Sequence, residues 1–292
     1  MSATTTSRFA PSPTGRLHLG HAFSAIQAHD RARSEGGRFL LRIEDIDGTR
    51  SRPEHVDAIL ADLRWLGLEW DGPVLFQSAR LAVYADALAR LRGMGLLYPC
   101  FCTRAEIAAS LSAPHGMEAV YPGTCRHLDP ADRAARFDAG VAHAWRIDMA
   151  AAVARAGPLG WTDEIAGDMI AHPERQGDVV LARKDAPASY HLAVTVDDAA
   201  QGVTHVVRGV DLFAATDVHR LLQALLGLPT PVYRHHTLLT DSDGTRLAKR
   251  NESPTLERLR LRGDDGQALA ALLREGRLPS DILITGFLAA SA

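Results

Sequence analysis

The first 50 residues combine a short apolar strand, a loop with two prolines, an amphipathic helix and a second, strongly apolar strand. The run SRFAPS predicts the first strand, and the apolar spacing after it predicts a helix over about 18–35 that Gly36 and Gly37 end. The run RFLLRIEDID begins with dense apolar residues and ends in carboxylates, which is typical of a buried parallel strand with acidic groups at its C-terminal end. Such a β-α-β unit predicts an α/β fold with a parallel sheet.

Two histidines, His18 and His21, lie three residues apart where the loop PSPTGRLHLGH enters this helix. The N–H groups at a helix N-terminus favour phosphate, and side chains at i and i+3 share one face, so both imidazoles can donate to phosphate oxygens. Gly20 leaves room for a nucleotide to approach the backbone. The alternatives are an ordinary strand-loop-helix corner and metal ligation, for which no carboxylate partner is near. The two commonest nucleotide-binding loops, G-x-x-x-x-G-K-[ST] and G-x-G-x-x-G, do not occur in the sequence.

The rest of the chain continues the α/β pattern around one interruption. Its 292 residues are 46% hydrophobic, enough for a large core, and its net charge of -3 supplies no overall positive field for nucleic acid. Neither a membrane span nor a secretory signal pattern is present, so we expect a cytoplasmic protein. We predict further helices over about 53–67, 78–95, 215–227, 255–262 and 265–275, and strands in AWRIDM, DVVLAR and VYRHHTLL.

All three cysteines fall in a segment broken by prolines and glycines, which we interpret as an insertion into the α/β unit. The expected organisation is a first half at 1–99, the insertion at 100–185, a second half at 186–250 and a short helical remnant at 251–292. Cys100, Cys102 and Cys125 are odd in number, which argues against a secreted disulfide framework and favours a metal or a reactive thiol. Structural zinc needs four ligands, and three buried or idle thiols are the alternative.

Four separated motifs resemble the glutamyl branch of the class I aminoacyl-tRNA synthetases, in the order that the family has them. RFAPSPTGRLHLGH resembles the HIGH region, RIEDIDGTR the RIEDTD strand, YHLAVTVDD and VVRGVDL the amino-acid pocket, and RLAKR the KMSKS loop. The resemblance implies a Rossmann-like catalytic domain with a parallel sheet, an inserted zinc-containing, acceptor-like α+β subdomain and a short helical C-terminal stub. It also implies ATP as a substrate, with Mg²⁺.

In this family, ATP and an amino acid are positioned so that the carboxylate attacks the α-phosphorus, without an enzyme nucleophile. The resemblance implies that His18 and His21 stabilise phosphate charge, that Gly20 and Arg246 belong to the ATP site, and that Lys249 contacts a phosphate. Lys249 is one of only two lysines in a chain whose other basic residues are arginines; a solvated loop cation is the alternative. Arg246 and Ala248 depart from the lysine and serine of KMSKS.

A glutamate substrate carries two carboxylates and one ammonium, and therefore asks for two cations and one anion. The matching positions supply Arg8, Arg208 and Glu44. The resemblance assigns the ammonium of glutamate to Glu44 and its side-chain carboxylate to Arg208, whose guanidinium can bind a carboxylate with two hydrogen bonds. It implies that Arg8 also binds a carboxylate of the substrate. It places three further residues in the pocket: Ala10, Ser12 and Tyr190. Val194 stands where many glutamyl enzymes have asparagine.

Local ion pairs are the alternative for two of these charges. Arg208 could pair with Asp211, and Glu44 with Arg42 or Arg50. The stretch YPGTC resembles the Y-x-x-x-C half of the zinc site in short glutamyl paralogues, which favours Tyr121 as the fourth ligand. His127 and His115 are the alternatives.

After RLAKR only 42 residues remain (292 minus 250), whereas a glutamyl-tRNA synthetase continues into an anticodon-binding region. The chain thus resembles the short paralogues that activate glutamate with ATP and transfer it to the modified wobble base queuosine of tRNA(Asp). We expect a monomer with no membrane partner, and backbone contacts to RNA from arginines of the insertion: Arg104, Arg126, Arg133 and Arg136. The alternatives are a conventional glutamyl-tRNA synthetase with a reduced C-terminal region, a non-catalytic glutamate or ATP sensor, and a small-molecule nucleotidyltransferase.

Overall fold

The computed structural model describes residues 4–103, 105–107, 120–241, 255–275, 277 and 282–284. The helices with both ends in these residues are α1 (Leu19–Arg33), α2 (Pro53–Trp65), α3 (Leu81–Gly93), α4 (Pro130–Asp138), α5 (Met149–Ala156), α6 (Tyr190–Ala200), α7 (Ala215–Leu226), α8 (Leu256–Arg262) and α9 (Gly266–Arg274). The strands are β1 (Thr6–Phe9), β2 (Arg38–Ile43), β3 (Leu75–Phe76), β4 (Leu97–Cys100), β5 (Ala144–Ile147), β6 (Gly160–Asp163), β7 (Gly167–Ile170), β8 (Val180–Ala182), β9 (His205–Gly209), β10 (Val232–His236), β11 (Leu239–Asp241) and β12 (Ile282–Ile284).

The N-terminal β-α-β unit has the predicted form. Strands β1 and β2 run parallel, with Thr6 opposite Arg38, and β3 extends the sheet in parallel from β2. Between them, α1 ends within two residues of the predicted boundary. Gly37 fits there because a Cβ at this position would lie 2.1 Å from the carbonyl oxygen of Thr5. The glycine therefore lets the chain leave α1 and enter β2 close against the start of β1.

A second parallel pair, β9 and β10, adjoins the first through the residue before β9. The backbone N–H of Thr204 donates to the carbonyl oxygen of Thr6 at 2.9 Å, and its carbonyl oxygen accepts from Val232 at 2.9 Å. Strand β1 therefore lies between β2 on one side and the start of β9 on the other. The α/β class and the parallel sheet are confirmed.

The segment predicted as an insertion contributes to two sheets. Strands β4, β5 and β8 form an antiparallel sheet, whereas β6 and β7 form a hairpin whose β6 pairs with β10, with Asp163 opposite Tyr233. Residues 160–170 therefore extend the sheet of the second half of the chain. The domain boundaries as such stay a prediction.

Two clusters of buried side chains pack the helices against the strands. One packs α1 and α2 against β1 and β2, and the other packs α3, α6 and α7 around side chains from β5 and β8. Within the described ranges, no helix combines the length and the apolar character needed to span a bilayer.

Candidate active site

A cavity of about 320 Å³ lies at the carboxyl ends of the parallel strands. Its walls include residues at or just after the ends of β1, β2, β9 and β10, together with the N-terminus of α1. Nine of the residues predicted from the sequence line it: Arg8, Ala10, Ser12, His18, Gly20, His21, Glu44, Tyr190 and Arg208. Open α/β sheets bind ligands in this position, where the strand order reverses.

The two histidines at the start of α1 both cap the helix, each through its Nδ1 atom. The Nδ1 of His18 accepts from the N–H of Gly20 at 3.1 Å, and the Nδ1 of His21 accepts from the N–H of His18 at 3.2 Å. In a neutral ring that accepts at Nδ1, the proton lies on Nε2. Each neutral imidazole therefore carries its N–H on Nε2, and both residues line the cavity beside a helix N-terminus whose first turn holds no acidic residue.

The residues predicted for the KMSKS-like loop, Arg246, Ala248 and Lys249, lie outside the described residues. Described residues on both sides of that segment meet the site. Leu239 lines the cavity, and Thr255 forms an isolated β-bridge with His18.

Glu44 follows β2 directly and supplies a buried carboxylate. Its Oε1 lies 3.5 Å from Nη2 of the fully buried Arg42, but has no hydrogen-bond donor among the described groups. Burial raises the pKa of Glu44, and the charge of Arg42 opposes that shift. A buried anion with an unused acceptor suits a cationic ligand group such as an ammonium.

Arg8 is paired within the protein. Its Nε and Nη2 donate to the two carboxylate oxygens of Asp198 at 2.9 and 3.1 Å, and Nη1 of Arg42 donates to the same carboxylate at 2.8 Å. Asp198 was not predicted from the sequence, and Arg42 was predicted only as an alternative partner of Glu44. The available signal was the pair of acids in the apolar run VTVDDAA, since buried carboxylates need cationic partners.

Arg208, on β9, is 5% exposed, and its hydrogen-bond acceptors among the described residues are neutral. Its guanidinium donates to five acceptors: the hydroxyl of Tyr190 at 3.2 Å, Nδ1 of His219 at 3.2 Å, Nε2 of His235 at 3.1 Å, the hydroxyl of Thr216 at 2.7 Å and the carbonyl oxygen of Leu212 at 3.1 Å. Asp211 lines the cavity but is not among these partners. No carboxylate in the described part of the chain pairs with this cation, which suits it to a ligand anion.

The histidines around Arg208 are neutral at pH 7. Burial and the nearby guanidinium lower the pKa of His191 to about 4 and hold the pKa of His219 well below its usual value. Burial also lowers the pKa of His235, although its hydrogen bond to Asp163 acts in the opposite direction. The guanidinium of Arg208 therefore carries the only positive charge in this group of side chains at neutral pH.

These shifts predict a loss of stability in mild acid. Because the pKa of His191 is lowered on folding, its contribution is complete above about pH 6.5 and is lost as the pH falls toward 4, by at most about 3 kcal/mol. The free energy of unfolding, measured with urea between pH 7 and 4.5, should fall accordingly. In His191→Asn, which keeps an acceptor for His219 but cannot titrate, the pH dependence should be weaker. An unchanged slope in that variant would contradict this account.

The three cysteine sulfurs form a compact group, each within 4.8 Å of the others. The hydroxyl of Tyr121 lies 3.4 Å from Sγ of Cys100 and 3.5 Å from Sγ of Cys102. His127 is exposed, and His115 lies outside the described residues. Three thiols and one phenol thus have the composition of a four-ligand site, and Tyr121 is the described candidate that lies against the sulfurs.

The described arginines among those predicted to contact RNA have partners within the protein. Arg126 donates to Asp178 at 3.1 Å, and Arg136 lies 5.9 Å from the ring centre of Phe101. Arg133 donates to the backbone of Arg126, and Arg104 lies outside the described residues. Val194 is buried one helical turn after Tyr190, so no polar side chain occupies that position.

Comparison with known proteins identifies a family. A family model described as tRNA synthetases class I (E and Q), catalytic domain, matches residues 4–280. A Glutamyl-Q tRNA(Asp) synthetase of Rhodobacter capsulatus is 53% identical over 286 residues, covering 94% of this chain and 97% of that protein. One of Symbiobacterium thermophilum is 46% identical over 278 residues, covering 91% and 84%.

A solved structure supports the same assignment. A glutamate tRNA ligase of Elizabethkingia meningosepticum, crystallised in complex with its amino acid, is 25% identical and superposes with a TM-score of 0.77. The match covers 93% of this chain and 60% of that one. The present chain thus spans about three fifths of the length of that ligase.

Proposed function

The chain belongs to the class I tRNA synthetases for glutamate and glutamine, and on that basis we propose that it is a ligase that joins L-glutamate to queuosine of tRNA(Asp) at the expense of ATP. The proposal rests on one cavity that combines three features. These are the guanidinium of Arg208, which pairs with no carboxylate among the described residues, the buried carboxylate of Glu44, and the helix N-terminus that His18 and His21 cap. The names of the relatives support the choice of RNA. A cytoplasmic, monomeric protein is part of the same proposal.

The first step forms glutamyl-adenylate. An oxygen of the α-carboxylate of glutamate attacks the α-phosphorus of ATP, the bond to the bridging oxygen of the β-phosphate breaks, and pyrophosphate leaves. No side chain acts as a nucleophile, so catalysis consists of positioning and charge stabilisation. Mg²⁺ accompanies the phosphates of ATP. In the second step, a nucleophilic group of the modified base forms a bond to the activated carbonyl carbon and loses its proton to solvent, while the bond from that carbon to the phosphate oxygen breaks and AMP leaves.

The proposed roles divide the cavity into two ends. At one end, Arg208 binds the side-chain carboxylate of glutamate and Glu44 binds its ammonium. Arg8, which is paired with Asp198, contributes its charge to the same end of the cavity. At the other end, the Nε2–H groups of His18 and His21 bind phosphate oxygens as charge develops on them. Tyr190, Ser12 and Ala10 are assigned to the glutamate end and Gly20 to the ATP end. Arg246 and Lys249, which lie outside the described residues, are assigned to ATP binding from the sequence.

Two assays test this function. Purified protein should catalyse ATP–pyrophosphate exchange that depends on glutamate and needs no RNA. With labelled glutamate and total tRNA, the label should appear in tRNA(Asp) only when the tRNA contains queuosine, and mass spectrometry should find it on the modified base. Label at the 3′ end of tRNA(Glu) would instead show a conventional glutamyl-tRNA synthetase, and absence of exchange would show a non-catalytic binding protein.

We also propose that Cys100, Cys102, Cys125 and Tyr121 hold a structural zinc ion. Burial and the neighbouring thiols raise the pKa of Tyr121, so a bound cation is needed to hold the phenol as a ligand. The guanidinium of Arg146 lies 3.8 Å from the ring centre of Tyr121, where its charge favours the ionised phenol. The ion would brace the insertion and take no part in the reaction.

Metal analysis and thermal unfolding test the zinc proposal. Purified protein should contain one zinc ion per chain, and Cys125→Ser should lose it and lower the melting temperature by more than about 5 °C. Tyr121→Phe should bind zinc more weakly. His127→Ala is the matched control, because the side chain of His127 is exposed, and it should retain both zinc and stability. Loss of zinc in His127→Ala, with retention in Tyr121→Phe, would contradict the proposed ligand set.

A further inference from the structure

Arg208 poses a physical problem that the proposed substrate contact does not explain. A guanidinium has five N–H donors, and burial without an anion is costly unless each donor is used. In Arg208 all five donate within the protein, and every acceptor is neutral. This arrangement satisfies the geometry of the cation while leaving its charge uncancelled.

The hydrogen bonds fix the tautomer of each ring in this group. His235 receives Arg208 at Nε2, so its proton lies on Nδ1, which donates to Asp163 at 2.7 Å. His219 receives Arg208 at Nδ1, so its proton lies on Nε2, which donates to Nδ1 of His191 at 3.1 Å. The imidazoles therefore form one connected chain from Asp163 to His191, with Arg208 at its centre.

We propose that His219 and His235 are the positioning residues that determine specificity for a dicarboxylic amino acid, by holding Arg208 as neutral acceptors on two sides. The inference rests on the proposed function, because it concerns how the same cavity selects glutamate. An aspartate or glutamate in place of either ring would cancel the charge, and an apolar residue would leave a donor without a partner and the fork free to turn.

The direction from which a ligand reaches Arg208 follows from burial. His219, His235 and Thr216 are buried, whereas Tyr190 and Leu212 line the cavity. Leu212 contributes a backbone carbonyl, while Tyr190 contributes a side chain that is 36% exposed and can turn away. A ligand carboxylate therefore reaches the guanidinium at Nη1, where it takes the place of the phenol as acceptor. Glutamine offers a neutral carboxamide to the same cation and gains no ion pair.

The two nitrogens of an imidazole allow a matched test at His219. Asparagine places its amide oxygen near the position of Nδ1, whereas glutamine places its amide near Nε2. We expect His219→Gln to raise the KM for glutamate in ATP–pyrophosphate exchange by about 10- to 100-fold, as for loss of a hydrogen bond to a charged group. His219→Asn should stay within about threefold of the natural protein. The KM for ATP should not change in either variant.

At His235 the expected order of the two variants is reversed, because this ring contacts Arg208 through Nε2. There, His235→Gln should retain more affinity for glutamate than His235→Asn. The preference for glutamate over glutamine should fall in the variants that lose the contact. Circular dichroism and melting temperature identify variants that fail to fold, and the comparison is made within each isosteric pair.

Calorimetric titration with glutamate separates this inference from the proposed function. If the natural protein binds glutamate but catalyses no exchange, the proposed function fails, and the variants are still ranked by affinity. If the asparagine and glutamine variants of His219 bind glutamate equally, or if only kcat changes, then the two rings do not position Arg208. Failure of the natural protein to bind glutamate would overturn both.

Discussion

Arg208→Lys should lower kcat/KM for glutamate by about a thousandfold, almost entirely through KM. Lysine keeps the positive charge but has three donors on one atom, so it cannot hold the four other acceptors of Arg208 and also donate to the carboxylate that replaces the hydroxyl of Tyr190. Loss of a buried, hydrogen-bonded ion pair costs about 3–5 kcal/mol, which corresponds to a factor of about 10² to 10⁴. Steady-state exchange kinetics with glutamate as the varied substrate measure the effect.

A neighbouring arginine provides the control for this substitution. Arg234 lies on β10, the strand beside β9, and its side chain is 38% exposed and paired with Glu164 at 3.2 Å. Arg234→Lys should leave the kinetics unchanged, because a surface ion pair of this kind is worth at most about 1 kcal/mol. If Arg208→Lys has the KM for glutamate of the natural protein, Arg208 does not bind the side-chain carboxylate.

The parts of the site that follow strands directly could be predicted from the sequence, because strand ends are marked by local patterns. The apolar run RFLLRI stops at Glu44, and the run HVVRG holds Arg208 next to the glycine that ends β9. Carboxyl ends of parallel strands meet at one edge of a sheet, so the α/β pattern places these charges together before any contact is known.

The partners of those charges could not be predicted, since they come from distant parts of the chain. His219 lies in the run VHRLLQALL, where a histidine on an apolar helix face is typical of a core residue. Asp198 and Arg8 are separated by 190 residues. Periodicity tells which face of α6 or α7 is buried, but not which strand it covers, and the acceptors of Arg208 depend on that packing.

The position of the β6–β7 hairpin in the fold could not be predicted either, for the same reason. Its residues lie within a stretch of proline and glycine breaks, so the sequence places them in the insertion. In the structure, β6 pairs with β10, some 70 residues later, through Asp163 and Tyr233. Pairing between strands so far apart leaves no local signal, yet this contact places Asp163 behind His235 and therefore matters for the site.

His18→Asn should lower kcat for glutamate activation by about 100- to 1,000-fold, with little change in stability. Asparagine is a good N-cap, so its side chain can accept from the start of α1 as Nδ1 of His18 does now. It is too short to replace the Nε2–H donor, and removal of one donor that stabilises transition-state charge costs about 3–4 kcal/mol. Because asparagine would serve equally well as a cap, a loss of kcat in His18→Asn would assign to the imidazole a role beyond capping.

His18→Ala separates the two roles of this residue. Alanine removes both the cap and the donor, so it should show the same loss of kcat and an additional loss of about 1 kcal/mol in the free energy of unfolding. The KM for glutamate should change little in either variant, in contrast to Arg208→Lys, because the substitution lies at the other end of the cavity. If His18→Asn retains full activity while His18→Ala is inactive, the histidine acts on the helix alone and the proposed contact with ATP is wrong.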